Sequence, residues 1–160
     1  MKPGVSGGAA SVHRRRRRSW ADEPPVQRLW TINILLVEDD PADTSLILDV
    51  LRRHPSVAST QASDEAGAAL RQLKAGALKP DLVLLDIRMP RMDGFAFLEA
   101  IRAIPSMRDT PVVFLTTSGL SRDVVEAKHS SALGYVVKPD TLAELQKRLD
   151  AVIRHVTMSR

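Results

Sequence analysis

The residues able to do chemistry in this chain are acidic groups, one lysine and one hydroxyl, each just past a short apolar run. Glu38, Asp39 and Asp40 follow Ile32–Val37; Asp86 follows Leu82–Leu85; Thr116 closes Pro111–Leu115; Lys138 follows Gly134–Val137. Three crowded carboxylates repel one another and call for a cation, and hard oxygen donors with an incomplete shell suit Mg²⁺. A lysine and a hydroxyl across from them suit a phosphoryl group, the first as a point charge and the second as a donor. Carboxylates also act as nucleophiles and form aspartyl-phosphates. Taken singly, these groups have ordinary explanations: a helix-capping acidic turn, a strand-end hydroxyl, a Lys-Pro turn. Placed together on successive strand ends, they point to a site.

The surrounding elements must bring them together. Leu82–Leu85, four apolar residues between Asp81 and Asp86, reads as a strand buried on both faces. Ile32–Val37 reads as the first strand, followed by a helix capped by Asp40 with Pro41 in its first turn and Leu46, Ile47, Val50 and Leu51 at helical spacing. Val57–Gln61 is a weak strand. A second helix starts around Ser63–Ala66 and ends at Gly76. A third runs from Gly94, with Phe95, Leu98, Ile101 and Arg102 in register, and stops before Pro105. Pro111–Thr116 is the fourth strand. The fourth helix, from about Ser121 to Ser131, has a thin apolar face of Val124, Val125 and Ala127. Gly134–Val137 is the fifth strand. Leu142, Leu145, Leu149, Val152 and Ile153 mark a final helix ending near Val156. Five strands alternating with helical crossovers imply a parallel sheet covered on both faces, with all these polar groups along its carboxyl edge.

The net charge of +4 is unevenly placed. Residues 1–30 carry Lys2, Arg14, Arg15, Arg16, Arg17, Arg18 and Arg28 against Asp22 and Glu23, so the rest of the chain is near neutral. The high pI therefore belongs to the amino-terminal stretch and does not make the whole protein a nucleic-acid binder. Residues 1–31 read as a disordered basic extension, whose Arg14–Arg18 run is the only part expected to bind nucleic acid or anionic lipid, if any does. An upstream mis-chosen start codon would also account for this stretch. The absence of cysteine excludes disulfides and Cys-based zinc or thiol chemistry. No apolar run reaches membrane-spanning length, and no apolar segment follows the arginines as a signal peptide requires. A cytoplasmic location is expected.

Over residues 32 to about 154 the chain closely resembles the receiver domain of two-component response regulators. The resemblance rests on Ile34-Leu35-Leu36-Val37-Glu38-Asp39-Asp40, on Asp81 to Gly94 (D-L-V-L-L-D-I-R-M-P-R-M-D-G), on Thr116 and on Lys138-Pro139. It implies a doubly wound, flavodoxin-like sheet of order 2-1-3-4-5. It further implies that Asp86 accepts a phosphoryl group from a histidine kinase or phosphotransfer protein. Asp39, Asp86 and the backbone carbonyl of Arg88 would hold Mg²⁺, with Glu38 acting through a bound water; Lys138 and Thr116 would contact phosphoryl oxygens. Thr116 and Tyr135 would then switch a face made by the fourth helix, fifth strand and fifth helix, through which a downstream protein or a second copy would dock. Arg88 and Ser118 sit where the family tunes dephosphorylation. Ser131 and Asp140 depart from the commonest family pattern, a glycine and an apolar residue respectively.

The expected organisation is thus a basic extension (1–31), a receiver (32–156) and a short tail (157–160), acting as a stand-alone regulator and not as an enzyme in the ordinary sense. Acidic and Thr/Ser runs around Glu38–Asp43 and Leu115–Ser118 further resemble single-domain regulators paired with phytochrome-type kinases. A phosphatase of the haloacid-dehalogenase type would want an aspartate two residues after Asp86, where Arg88 stands. The remaining rivals are a pseudo-receiver recognised without phosphorylation and a receiver gating its basic extension.

Overall fold

A computed structural model of the protein describes residues 30–117 and 122–160. Five strands, β1 (Ile32–Val37), β2 (Val57–Ser63), β3 (Leu82–Asp86), β4 (Val112–Thr116) and β5 (Gly134–Val137), alternate with α1 (Pro41–Arg52), α2 (Ala66–Lys74), α3 (Gly94–Arg102), α4 (Arg122–His129) and α5 (Leu142–Met158). The strands form one parallel sheet in the order β2-β1-β3-β4-β5, as expected, with β3 in the middle. Every residue of β3 and β4 is buried.

Alternation along each strand divides the core into two layers. Leu35, Val37, Val83, Leu85 and Phe114 pack with Ala69, Leu73, Phe97, Leu98 and Ile101 beneath α2 and α3. Ile34, Leu36, Leu84, Val113 and Leu115 pack with Ile47, Leu51, Leu145, Leu149 and Ile153 beneath α1 and α5. Among the described residues no helix is long and apolar enough to cross a membrane.

Helix starts follow local chemistry. The Asp40 side chain accepts from the amides of Ala42 and Asp43 at 2.8 and 3.0 Å, with Pro41 in the first turn. Asp93 caps α3 through Ala96 at 2.8 Å, and Thr141 caps α5. For α2 the cap is Glu65, whose two carboxylate oxygens take the amides of Gly67 and Ala68. That leaves β2 free to run to Ser63, two residues beyond the expected end.

Three other expectations are corrected. The α3 stripe is Gly94, Phe97, Leu98 and Ile101, and Phe95 lies at its margin with its ring 4.9 Å from that of Phe114. The buried side of α4 is Asp123, Val124 and Ala127, whereas Val125 is 58% exposed. Helix α5 continues past Val156 to Met158, two residues beyond its expected end, and Arg160 pairs with Asp81. The Arg14–Arg18 run, Ser118 and Ser121 lie outside the described residues.

Ser131 is used as an anchor. Arg102 of α3 donates to its hydroxyl at 3.1 Å and its carbonyl at 3.2 Å, and to the carbonyls of Met107 and Thr110 at 2.9 and 2.8 Å. One guanidinium therefore ties α3 to the turn before β4 and the turn before β5.

Candidate functional site

The parallel sheet delivers the expected groups to one cleft at its carboxyl edge. That cleft, about 410 Å³, is lined by Glu38, Asp39, Asp40, Asp43, Asp86, Arg88, Thr116, Thr117 and Lys138. Carboxylate oxygens of Glu38, Asp39 and Asp86 lie within 4.8 Å of one another. Glu38 and Asp86 are buried, Asp39 partly so, and Thr116 is buried at the end of β4 beside them. The Lys138 amine sits among the acids, 2.6 Å from Glu38 Oε2, 2.8 Å from Asp43 Oδ2 and 3.8 Å from Asp86 Oδ1.

The backbone fixes this arrangement. The Ile87 amide donates to the Leu115 carbonyl at 3.3 Å and the Lys138 amide to the Thr116 carbonyl at 2.7 Å, which locks the ends of β3, β4 and β5 together. The Gly94 amide donates to the Ile87 carbonyl at 2.8 Å, drawing the start of α3 against the strand end that carries Asp86.

Charge crowding shows in the titration of Asp86. Its carboxyl is pushed up to about 7, first by burial and then by the Glu38 charge, with Lys138 pulling the other way and hydrogen bonds to Glu38 and Asp39 favouring the protonated form. For Lys138, burial opposes the charge, but hydrogen bonds to Asp43 and Glu38 and the Asp86 charge more than offset it, and its pKa is raised. Three hard-oxygen donors crowded enough to hold a proton near neutrality are the donor set a divalent cation relieves, so the residues present fit Mg²⁺.

The described part of the chain thus has the sheet order, acidic cluster and lysine that Asp81–Gly94 and Lys138-Pro139 imply. A family model described as the response regulator receiver domain matches residues 34–150. The chain belongs to the response-regulator receiver family. This receiver is 33% identical over 122 residues to the chemotaxis protein CheY-3 of Vibrio cholerae, covering 76% of this chain and 92% of that protein. Among solved structures it is similar to the phosphorylated cyanobacterial phytochrome response regulator RcpA, at 31% identity and a TM-score of 0.67, covering 76% of this chain and 91% of that one. It is also similar to the receiver domain of the sensor histidine kinase PA1611 of Pseudomonas aeruginosa, solved with a magnesium ion in its active-site cleft, at 30% identity and a TM-score of 0.64, covering 78% and 98%. Receivers are signalling domains of two-component systems; they bind Mg²⁺ and interact with histidine kinases or phosphotransfer proteins.

Two acids that hold the cations of the receiver's cleft lay outside the expected set. Asp43, in the first turn of α1, accepts from the Lys138 amine at 2.8 Å, closer than Asp86 at 3.8 Å. A helix that starts at the sheet's carboxyl edge aims its first turn at the site, and an acidic residue there was the available signal. Asp123 of α4 is buried and holds the Arg88 guanidinium by a two-point pair, Nε to Oδ2 at 3.0 Å and Nη2 to Oδ1. Nothing in the local sequence marks that pair.

The raised pKa of Asp86 gives a pH dependence with an unusual sign. Between about pH 4 and about pH 7 the folded protein holds a proton on Asp86 that the unfolded chain has lost, so stability from this group is greatest below that window and falls as pH rises through it. After solvent screening the loss is on the order of 2 kcal/mol. Urea titrations in a metal-free buffer at about pH 5 and about pH 8 should show the drop, and Asp86→Asn should remove it. A wild-type curve that tracks Asp86→Asn at both pH values would contradict the crowding.

Proposed function

We propose that this receiver accepts a phosphoryl group on Asp86 from a phosphohistidine of a partner kinase or phosphotransfer protein and thereby switches a protein-binding face. The observation that supports this most directly is the meeting of Glu38, Asp39, Asp86 and Lys138 in one cleft, from strands up to a hundred residues apart in sequence. An Asp86 carboxylate oxygen attacks phosphorus as the nitrogen–phosphorus bond breaks, and the departing imidazole keeps the electron pair and takes a proton. Asp39, Asp86 and the Arg88 carbonyl are the groups to hold Mg²⁺, with Glu38 acting through water. When bound, the ion offsets the negative charge that carboxylates and phosphoryl oxygens bring together. Lys138 stays within reach to pair with one phosphoryl oxygen, and the Thr116 hydroxyl donates to another.

The switch is assigned to Thr116 and Tyr135. Tyr135 is half-buried in β5 against the α3-side layer, with the Lys128 amine 6.0 Å from its ring centre. Movement of Thr116 toward a new phosphate opens room for Tyr135 to turn further in, altering the face of α4, β5 and α5, where Val125 of α4 stands exposed. That face is the one to bind a downstream protein or a second copy.

Incubation with a small-molecule phosphodonor and Mg²⁺ should add one acid-labile phosphate by intact mass. Asp86→Asn or chelator should abolish it. Labelling that persists in Asp86→Asn would remove the assignment, and a wild-type protein that never labels would favour a pseudo-receiver.

A further inference from the structure

Arg88 stands between two anion sites. It lines the cleft that holds Asp86, two residues along the chain, yet its guanidinium is committed to Asp123 in the first turn of α4. Asp93 and Glu126 add to the negative surroundings of the guanidinium. The two partners are unequally placed, for the Arg88 side chain is 67% exposed and the Asp123 side chain 6%. Arg88 can exchange partners at little cost in hydration. Asp123 cannot, since among the described residues Arg88 is the cation that meets it, and a buried carboxylate left alone is strongly unfavourable.

We propose that Arg88 is shared in turn between Asp123 and a phosphoryl group on Asp86, so that phosphorylation unfastens the first turn of α4. This rests on the phosphoacceptor reading given above. A phosphoryl group brings up to two negative charges and further acceptor oxygens into the cleft Arg88 already lines, against the single charge of Asp123. Once Arg88 turns inward, the Asp123 carboxylate has to reach water, and it does so only if the start of α4 lifts. The coupling therefore comes from the burial of Asp123 and needs no contact between α4 and the phosphate. The helix is suited to respond: it has eight residues, and its buried apolar groups are Val124 and Ala127 alone.

Amide hydrogen exchange of the full chain, followed by mass spectrometry on peptides covering 122–133, tests this with beryllium trifluoride and Mg²⁺ as the phosphoryl mimic. In the wild type the mimic should speed exchange in this segment by about tenfold or more. Arg88→Ala should exchange fast from the start, with little further response to the mimic. Asp123→Asn, which leaves no charge stranded, should lose most of the response while still accepting phosphate on Asp86. A wild-type segment unmoved by the mimic, or an Asp123→Asn segment that responds as fully as the wild type, would overturn the exchange of partners. Intact-mass labelling of the same samples separates the two claims: a protein that labels on Asp86 but shows no change in α4 defeats only the coupling, and one that never labels defeats both.

Discussion

Lys138→Met is expected to destabilise the metal-free protein by about 3–5 kcal/mol, with much of that loss recovered in saturating Mg²⁺. The amine lies between Glu38, Asp43 and Asp86, and two of those carboxylates are buried. Removing it takes away the cation that faces the buried Glu38 and Asp86, and methionine refills the volume without the charge. The rise in the Lys138 pKa means its contribution is present at all pH values below its ordinary range and is lost only in strong alkali, so the effect should be undiminished at neutral pH. Urea melts with and without Mg²⁺ measure it. The rate of Asp86 labelling should fall on the order of a hundredfold even with the ion present, because one preorganised positive group aimed at the phosphoryl oxygens is gone. A variant as stable as the wild type without metal, labelling at the same rate, would show that the lysine is a bystander.

Gly94→Ala is the second large effect, about 2–4 kcal/mol, and here the cause is space and not charge. A β-carbon at this position would stand 2.5 Å from the Asp86 carbonyl oxygen, 3.0 Å from the Ile87 α-carbon and 3.2 Å from the Phe114 ring. Two of those three neighbours are backbone at the end of β3 and the residue just past it, and they cannot rotate away. Either α3 lifts, breaking the bond between the Gly94 amide and the Ile87 carbonyl, or the end of β3 shifts and takes Asp86 with it. The urea midpoint should fall and the labelling rate should drop with it. Gly134→Ala, where an added β-carbon meets nothing within 4 Å, is the matched control and should leave both within about 0.5 kcal/mol and twofold of the wild type.

Much of this receiver was legible in its sequence because local physics wrote it there. The unbroken apolar run Leu82–Leu85 reads as a strand covered on both sides, and its alternation with three other apolar runs, one weaker strand and the helical periods between them points to a parallel sheet. Asp40 before Pro41 announced a helix start, since a short carboxylate satisfies amides two or three residues on. Once the strands are parallel, Glu38, Asp39, Asp86, Thr116 and Lys138 fall along one edge by counting alone.

What failed was rotation and partnership. Phe95 and Phe97 are both apolar, and α3 chose Phe97 for its buried stripe because Gly94 has to face the strand end, which sets the angle of the whole helix. In the same way Val125 turned outward when α4 buried Asp123. These choices are made by packing between elements, to which a single helix's periodicity is blind.

By itself, then, the sequence determined the elements, their order and the identity of the groups at the carboxyl edge, because each depends on residues close together in the chain. The tertiary structure alone decided that Lys138 is shared with Asp43, that Arg88 is held by Asp123, and that Arg160 folds back on Asp81. Those pairs join residues 95, 35 and 79 positions apart, and a charge carries no local mark of the partner that folding will bring to it.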